Sequence, residues 1–337
     1  MTDEAQPDHA GAATAAQGGR AHFKTDDKFL RGKNGRLFLA NDANRVLGQH
    51  SGEVRFSDEE VAAWRRILES RAAWLDHTVG ASYLHVVPPN AHSVFPEDLP
   101  DDVPSGPQRP IHQLLSHLEQ TGSFARVVYP LEELMAAKGG ELPVYPRTET
   151  HWTDYGQFLA YRRVMEAVKE QVPVDEVQQS EVVFRTAEET GDLGYKTRPP
   201  ETSPHVWASV GGRGTRLVFD NCVSNSGSMI VTESDAETDA RCLVVSDSYG
   251  YGMLTFLAPS FRRLVFAHTA ALDYELAEEE RPDVVISILN ERFMIILPND
   301  PVGPPTRAVA AWKLESGTVR PRLEVWPDAE TKAAGRG

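Results

Sequence analysis

A serine stands where a predicted strand meets a predicted helix. Ser248 lies in the segment Arg241–Gly252, in which the β-prone residues Cys242 to Ser246 precede a polar turn and a glycine-bearing stretch. Open α/β sheets bind their ligands beyond the carboxyl ends of the strands. Helix N–H groups near such a hydroxyl could also hold an oxyanion. Ser248 is therefore a candidate nucleophile, although the same pattern fits a serine that only caps the next helix.

Glu149 and His151 offer an acid and a base for that serine. They lie two residues apart in the segment TETHWTDYG, and residues i and i+2 of an extended segment point to the same side. A carboxylate in this position could fix the imidazole tautomer and raise its basicity, as in a catalytic triad. The alternative is that His151 packs at a helix start while Glu149 is solvated. Asp154 is a rival acid, although its position suits a helix cap.

A third group of polar residues follows the predicted strand Asp283–Leu289. If this strand runs parallel to the serine strand, Asn290 lies at the same edge, where its amide could donate to an oxyanion. The alternative is an ordinary turn asparagine. Arg292 could bind a carboxylate or sugar hydroxyls, or it could lie at the surface. The histidines and cysteines share no metal-ligand spacing, so we expect no metal.

Strands and helices alternate around these segments, which predicts a parallel sheet with right-handed crossovers. A short hairpin is predicted within Phe29–Ala40. A capping box at Ser57 marks the first long helix. The predicted helices are Ser57–Asp76, Ile111–Thr121 and Thr153–Gln171, and the predicted strands are Ala81–Val87, Phe124–Tyr129, Leu243–Val245, Arg263–Ala267 and Asp283–Leu289.

The domain organisation follows from changes in this pattern. Residues 1–24 read as a disordered tail. Residues 25–300 form one α/β domain, within which 174–239 read as a β-rich insertion. Residues 301–337 form a C-terminal extension with a frayed end, in which Ala308–Leu314 and Arg322–Val325 are candidate edge strands. The β-prone pieces of the insertion are Glu181–Arg185, Thr215–Asp220 and Ser228–Thr232.

Composition excludes several classes of function. The chain has 337 residues and a net charge of −15, which argues against nucleic acid and anionic membrane surfaces as partners. No apolar run approaches the roughly 18 residues of a membrane helix, so we expect no membrane insertion. Cys222 and Cys242 could form one disulfide, but Cys242 reads as a buried thiol. The first residues show no signal peptide, so the chain as written is expected to be cytoplasmic.

Two segments resemble blocks of a known family. TETHWTDYG and VVSDSYG are similar to the His and Ser blocks of the SGNH-hydrolase-like acetyltransferases, the group that includes the alginate O-acetyltransferases. GKNGRLFL, VVPPN…FPEDLP and GDLG resemble further segments of the same group, and the similarity covers roughly residues 29–296. In ordinary SGNH hydrolases the serine block comes first, whereas here it comes last. The motif order therefore looks circularly permuted around one sheet.

The resemblance implies a fold and a set of site residues. The fold would be a three-layer, SGNH-like (flavodoxin-like) α/β structure, with a parallel sheet and helices on both faces. Ser248 would be the nucleophile, His151 the base and Glu149 the orienting acid. The candidates for oxyanion or substrate binding are Asn290, Arg292, Tyr249 and Asp154. The chain departs from the family pattern at Glu149 in place of Asp, Ser246 in place of Gly and Asn90 in place of Lys.

The resemblance also implies an activity. It predicts a serine-dependent O-acetyltransferase that modifies a carbohydrate hydroxyl through an acyl-serine and needs no cofactor. Its partners would be a carbohydrate acceptor and an acyl donor, for which a membrane acyltransferase is one candidate source. The alternatives are a carbohydrate esterase or deacetylase, and a non-catalytic carbohydrate-binding or assembly protein. Because the family is mostly exported, export would be expected if the true start differs.

Overall fold

A computed structural model describes residues 28–40 and 42–317 of the chain. The predicted tail 1–24 and the candidate strand Arg322–Val325 lie outside these ranges. The described strands are β1 (Phe29–Arg31), β2 (Leu37–Leu39), β3 (Ser82–Val86), β4 (Val127–Val128), β5 (Val182–Glu189), β6 (Ser203–Val210), β7 (Arg216–Asp220), β8 (Met229–Glu233), β9 (Arg241–Ser246), β10 (Arg263–His268) and β11 (Val284–Ile288).

The helices surround these strands in chain order. They are α1 (Val46–Ser51), α2 (Asp58–Trp74), α3 (Ala91–Val94), α4 (Pro110–Gln120), α5 (Leu131–Ala137), α6 (Asp154–Lys169), α7 (Gly250–Leu257), α8 (Tyr274–Glu280) and α9 (Thr306–Glu315). The Ser57 hydroxyl accepts from Glu60 N–H, and the Glu60 carboxylate accepts from Ser57 N–H. The predicted capping box therefore begins α2. Thr153 caps α6 by a single bond, in which its Oγ1 accepts from Gly156 N–H.

The central sheet has seven strands in the order β4-β3-β11-β9-β10-β8-β7. The five from β4 to β10 are parallel, whereas β8 and β7 continue the sheet antiparallel. The serine strand β9 lies between β10 and β11, and Ser246 is in register with Ile288 and His268. The chain passes from β9 to β10 on one side and then crosses to β11 on the other. This makes the carboxyl end of β9 a topological switch point, where α/β sheets form ligand crevices.

Helices cover both faces of the sheet, which confirms the predicted three-layer α/β fold. Alternate residues of β9 show this directly. Cys242 and Val244 belong to one buried apolar cluster, with residues of α6 and α7, and Leu243 and Val245 belong to another, with residues of α2, α4 and α8. Because successive strand residues point to opposite faces, a strand buried on both sides is apolar throughout. The short hairpin predicted near Phe29 is formed by β1 and β2.

Two parts of the chain differ from the sequence-based expectation. The β-rich region 174–239 divides, since β5 and β6 form a separate hairpin while β7 and β8 extend the central sheet. The candidate edge strand Ala308–Leu314 is wrong, because these residues belong to helix α9. The segment contains three alanines, a lysine and a leucine, which are strong helix formers, and their intrinsic preference outweighs the short β-like pattern.

The expectations about cysteines and membranes also have structural counterparts. Cys222 and Cys242 are free, and burial raises the pKa of the Cys242 thiol. Within the described ranges, no helix combines the length and the apolar character that crossing a membrane requires.

Candidate active site

The nucleophile candidate Ser248 sits in a tight turn between β9 and α7. The Asp247 carboxylate holds this turn: Oδ1 accepts from Tyr249 N–H at 2.8 Å and Oδ2 accepts from Asn290 N–H at 2.7 Å. Burial raises the pKa of this carboxyl group, and the two N–H donors oppose that effect. The Ser248 N–H has no hydrogen-bond partner among residues 28–40 and 42–317, so it is available to an oxyanion.

Ser246 fits closely against the first turn of α7. Its side chain is fully buried, and its Oγ donates to the Asp247 carbonyl at 2.9 Å. A Cβ atom added to Gly250 would lie 2.2 Å from that Oγ. The chain can therefore carry serine in place of the family's glycine because residue 250 has no side chain.

His151 bridges the serine and the acid. Its Nε2 lies 2.9 Å from Ser248 Oγ and its Nδ1 lies 2.8 Å from Glu149 Oε1. A carboxylate only accepts hydrogen bonds, so Nδ1 carries the proton and Nε2 accepts from the serine hydroxyl. The His151 side chain is 35% exposed and the Glu149 side chain 17%. The base is thus open to a reactant, while the acid is covered.

Glu149 is held as a carboxylate by four N–H donors. Oε1 accepts from His151 Nδ1 and from the backbone N–H groups of Thr150 (3.1 Å) and His151 (3.2 Å). Oε2 accepts from Asp192 N–H at 2.8 Å. Burial alone would raise the pKa of Glu149, but His151 and these backbone donors lower it to about 2.

The lowered pKa of Glu149 predicts acid-sensitive stability. Its ordinary pKa is 4.5, so its ionised form stabilises the folded state fully above that pH, and this contribution is lost as the pH falls toward 2. We expect the Glu149→Gln variant to lose less unfolding free energy than the wild type over this interval. Urea denaturation at a series of pH values measures the difference, and parallel curves for the two proteins would contradict the prediction.

The GDLG segment forms a loop behind the acid. Leu193 N–H and Gly194 N–H both donate to the Thr148 carbonyl, at 3.0 and 2.9 Å. The Asp192 carboxylate accepts from Thr150 N–H at 2.8 Å and from Thr150 Oγ1 at 2.7 Å. Burial and the nearby charge of Glu149 raise the pKa of Asp192. In the sequence this segment is typical of a turn and resembles a family motif, and that motif is the available signal for Asp192.

Gly191 allows the loop to approach the segment that carries the acid and the base. A Cβ atom there would lie 2.2 Å from the Thr148 carbonyl oxygen and 2.7 Å from Glu149 Cβ. Because a backbone atom cannot swing aside, we expect Gly191→Ala to lower the unfolding free energy by about 1–3 kcal/mol. We also expect it to slow the reaction by at least about tenfold.

The matched control for Gly191→Ala is Gly211→Ala. The nearest atom to a Cβ at Gly211 is 3.8 Å away, an ordinary van der Waals contact. Chemical denaturation and initial rates of both variants provide the comparison. Equal effects of the two substitutions would show that the close approach at Gly191 is unimportant.

Tyr249 joins the serine turn to the histidine segment. Its hydroxyl donates to the Thr150 carbonyl at 2.6 Å, and its ring centroid lies 4.8 Å from that of His151. Arg292 Nη1 donates to the Tyr249 hydroxyl oxygen at 3.3 Å, and its guanidinium packs over the Phe293 ring. Arg292 is nearly buried, and among the described residues no carboxylate lies within ion-pair distance of it.

The other predicted site residues make structural contacts. Asn290 is fully buried, and its Nδ2 donates to the Pro88 carbonyl at 2.9 Å. This amide therefore ties the ends of β11 and β3 together, as a structural asparagine at the turn after β11 would, and its Nδ2 is engaged by a backbone carbonyl. Asp154 begins α6, and its Oδ2 accepts from Ala208 N–H of β6 at 2.7 Å. It fastens the β5–β6 hairpin beside the histidine segment.

Glu291 is a buried residue at this edge that sequence reasoning did not single out. Its carboxylate accepts from Asn90 N–H, Ser93 Oγ and the Tyr129 hydroxyl, and it pairs with Arg109. These donors follow β3 and β4 in the chain. Glu291 therefore fixes the loops that close the carboxyl edge of the sheet, and a single acidic residue after a strand gives no sequence signal for such a role.

One group of side chains has the types that bind metals. Ligand-type atoms of Glu149, His151 and Asp192 lie within 4.8 Å of one another. Each carboxylate oxygen already accepts hydrogen bonds, and His151 Nδ1 would have to lose its proton to bind a cation. The arrangement is therefore that of a hydrogen-bonded acid–base pair.

The fold and this edge of the sheet define an SGNH-like α/β protein with a serine, an imidazole and a carboxylate in line. The chain belongs to the family described as SGNH hydrolase-like domain, acetyltransferase AlgX, whose model matches residues 29–206, just over half of the chain. The matched residues include Glu149, His151 and Asp192 and end before β9. No curated protein sequence gives a significant match.

Solved structures support the same fold. PatB1 of Bacillus cereus superposes with a TM-score of 0.61 at 14% identity, covering 80% of this chain and 97% of its own. The O-acetyltransferase domain of Pseudomonas putida AlgJ gives 0.52 at 16% identity, covering 86% and 99%. A DHHW family protein from Eubacterium siraeum gives 0.52 at 15% identity, covering 87% and 99%. At these identities the likeness establishes the architecture alone.

Proposed function

We propose that the chain is a serine O-acetyltransferase that modifies a carbohydrate hydroxyl through an acyl-serine intermediate. The observation that carries this proposal is the position of His151, which lies within hydrogen-bond distance of both Ser248 Oγ and Glu149 Oε1. Membership of an acetyltransferase family supports acetyl transfer. The carbohydrate acceptor, the acyl donor and its supply by a membrane acyltransferase are parts of the proposal.

The first half of the reaction acylates the serine. Ser248 Oγ attacks the carbonyl carbon of the donor while its proton passes to His151 Nε2. The bond from that carbon to the donor's leaving group breaks, and the leaving group takes the proton from the imidazolium. Glu149 stabilises the imidazolium through Nδ1. The free Ser248 N–H is suited to bind the oxyanion of the tetrahedral intermediate.

The second half transfers the acetyl group. An acceptor hydroxyl attacks the acyl carbon and gives its proton to His151 Nε2, and the Ser248 oxygen leaves and is reprotonated. Water would give hydrolysis by the same steps, so transfer requires that the acceptor be held in place and water be kept out. We assign this role to the surface formed by the GDLG loop and the β5–β6 hairpin.

Exposed aromatic side chains on that surface suit a sugar acceptor. Tyr195, three residues after Asp192, is 66% exposed, and Trp207 of β6 is 38% exposed. Such rings combine a broad apolar face with a polar group. The hairpin is fixed beside the histidine segment by the bond from Ala208 N–H to Asp154. Arg292 is proposed to bind the substrate as well as to hold Tyr249.

The test compares the wild type with Ser248→Ala and with the exposed-serine control Ser116→Ala. Each protein is incubated with 4-nitrophenyl acetate, with and without neutral and acidic oligosaccharides. Mass spectrometry then follows acetyl groups on the protein and on the sugar. We expect acetylation of Ser248 and Ser248-dependent formation of acetyl-sugar, with Ser116→Ala equal to the wild type.

Two results would overturn the proposal. Ser248-dependent release of acetate, with every acceptor unmodified, would identify an esterase. Equal background from the wild type and Ser248→Ala would identify a non-catalytic protein.

A further inference from the structure

Asp192 approaches the catalytic acid from a separate loop. Its N–H donates to Glu149 Oε2 at 2.8 Å, while the other oxygen, Oε1, accepts from His151 Nδ1 at 2.8 Å. The carboxylate plane is thus held at both oxygens. Glu149 Oε1 can accept from His151 Nδ1 only when the carboxylate plane is turned toward the imidazole. By fixing Oε2, the Asp192 N–H therefore helps to fix the orientation of the His151 ring.

The Asp192 side chain holds the residue that lies between the acid and the base. Its two oxygens accept from Thr150 N–H and Thr150 Oγ1, at 2.8 and 2.7 Å. The Thr150 carbonyl is in turn bound by the Tyr249 hydroxyl at 2.6 Å. The segment that carries the acid and the base is therefore fixed on one side by the GDLG loop and on the other by the residue after the nucleophile.

The loop that carries Asp192 is itself well anchored. The Thr148 carbonyl accepts from two of its N–H groups, and Gly191 packs against the same carbonyl. Lys196 Nζ donates to the Asp192 carbonyl at 2.6 Å. On the serine side, the Asp247 carboxylate interacts electrostatically with His151 and with Arg292. Because the loop is fixed by these contacts, Asp192 can fix the position of Glu149.

Building on the proposed acyl transfer, we propose that Asp192 is a positioning residue that orients Glu149 and, through it, His151. Asp192 touches neither the serine nor the imidazole nitrogen that takes its proton. Its side chain holds Thr150, the residue next to Glu149 in the chain, and its backbone N–H, which side-chain variants keep, binds Glu149 Oε2 directly. The effect of the side chain on the rate therefore passes through Thr150 to the position of Glu149. It belongs to the reaction as a fourth member of the Ser248–His151–Glu149 array, recruited from the GDLG loop.

The test measures acylation of Ser248 in variants of Asp192. We expect Asp192→Ala to lower kcat between about 10- and 100-fold with little change in KM, since misplacing a reacting group by a fraction of an ångström has effects of this size. Asp192→Asn keeps one acceptor oxygen for Thr150 Oγ1, so its loss should be smaller. Thr150→Val removes only the hydroxyl donor and provides a second, milder variant.

The discriminating measurement repeats Asp192→Ala in the Glu149→Gln background. If Asp192 acts through Glu149, it has almost no further effect there, and the double-mutant cycle is strongly non-additive. If Asp192 only stabilises the fold, the rate falls by the same factor in both backgrounds, and the proposal is overturned. A change confined to KM would indicate a substrate contact and overturn it too. Glu201→Gln removes an exposed acid of the same region, paired with Arg31, and should leave the rate unchanged.

The reactivity of Ser248 toward phenylmethanesulfonyl fluoride separates this proposal from the transferase assignment. The serine oxygen bonds to sulfur, fluoride leaves and His151 takes the proton, so neither acyl donor nor acceptor is needed. We expect Asp192→Ala to slow labelling by the same factor as kcat. Labelling that depends on Asp192, without any acetyl-sugar, would overturn only the transferase. Labelling that is insensitive to Asp192 would overturn only the role of Asp192.

Discussion

The His151→Ala variant is expected to acylate Ser248 about 10⁴-fold more slowly than the wild type. A serine hydroxyl is a weak nucleophile, and His151 Nε2, 2.9 Å from Ser248 Oγ, is the base placed to take its proton. KM should change little, because His151 contributes to the transition state more than to donor binding. The measurement is the rate of acetyl-serine formation under single-turnover conditions.

The control for this variant is His77→Ala. His77 lies exposed in the middle of the helical turn Leu75–Val79, which follows α2 and precedes the amino end of β3. It should acylate at the wild-type rate. General-base catalysis typically contributes about 10²- to 10⁴-fold. If His151→Ala retained more than about a tenth of the wild-type rate, the loss would be smaller than this contribution, and His151 would not be the base.

The Glu149→Gln variant is expected to lower kcat by about 10³- to 10⁴-fold while the fold is retained. Both carboxylate oxygens face N–H donors, from His151 on one side and Asp192 on the other. An amide has only one oxygen, so its NH2 group must face one of these two donors. It either faces the Asp192 N–H, which loses its acceptor, or faces His151 Nδ1, which must then accept and carry its proton on Nε2 instead. In the second case His151 can no longer accept the proton of Ser248. Single-turnover acylation again gives the measurement.

The comparison variant is Glu149→Asp, which restores the acid usual in the family with one methylene fewer. It keeps the charge but shortens the reach to His151 Nδ1, so we expect a rate between those of Glu149→Gln and the wild type. Glu119→Gln, on the exposed face of α4, controls for the loss of one negative charge. Wild-type activity in Glu149→Gln would exclude Glu149 as the orienting acid.

Much of the site could be predicted because its chemistry is local in sequence. Glu149 and His151 are two residues apart in an extended segment, so their contact needs no long-range information. Ser248 follows an apolar strand, and the alternation of strands and helices predicts that this strand is parallel and central. The approach of Ser248 to His151 depends on the tertiary fold, and only the family resemblance suggested that these two residues act together.

The parts that were not predicted depend on tertiary contacts. Asp192 reaches Glu149 across 43 residues, and only the folded loop brings its N–H to the carboxylate. Asn290 lies at the expected edge, yet its amide bonds to Pro88, at the end of a strand about 200 residues earlier. The pairing of β8 with β10 is likewise set by register across distant segments, which strand propensity does not encode.

The fit between Ser246 and Gly250 has an evolutionary consequence. Serine at position 246 requires glycine at position 250, because a Cβ atom at position 250 would meet the serine hydroxyl. The two positions should therefore vary together among homologues. A lineage with glycine at the place of Ser246 removes the two shortest of these contacts, so that alanine at the place of Gly250 would need only a small shift of the Phe266 ring, 3.1 Å away, and would strengthen the start of α7. A lineage with serine there must keep the glycine. Ancestral reconstruction should accordingly place the change to serine only where glycine already occupied the helix start.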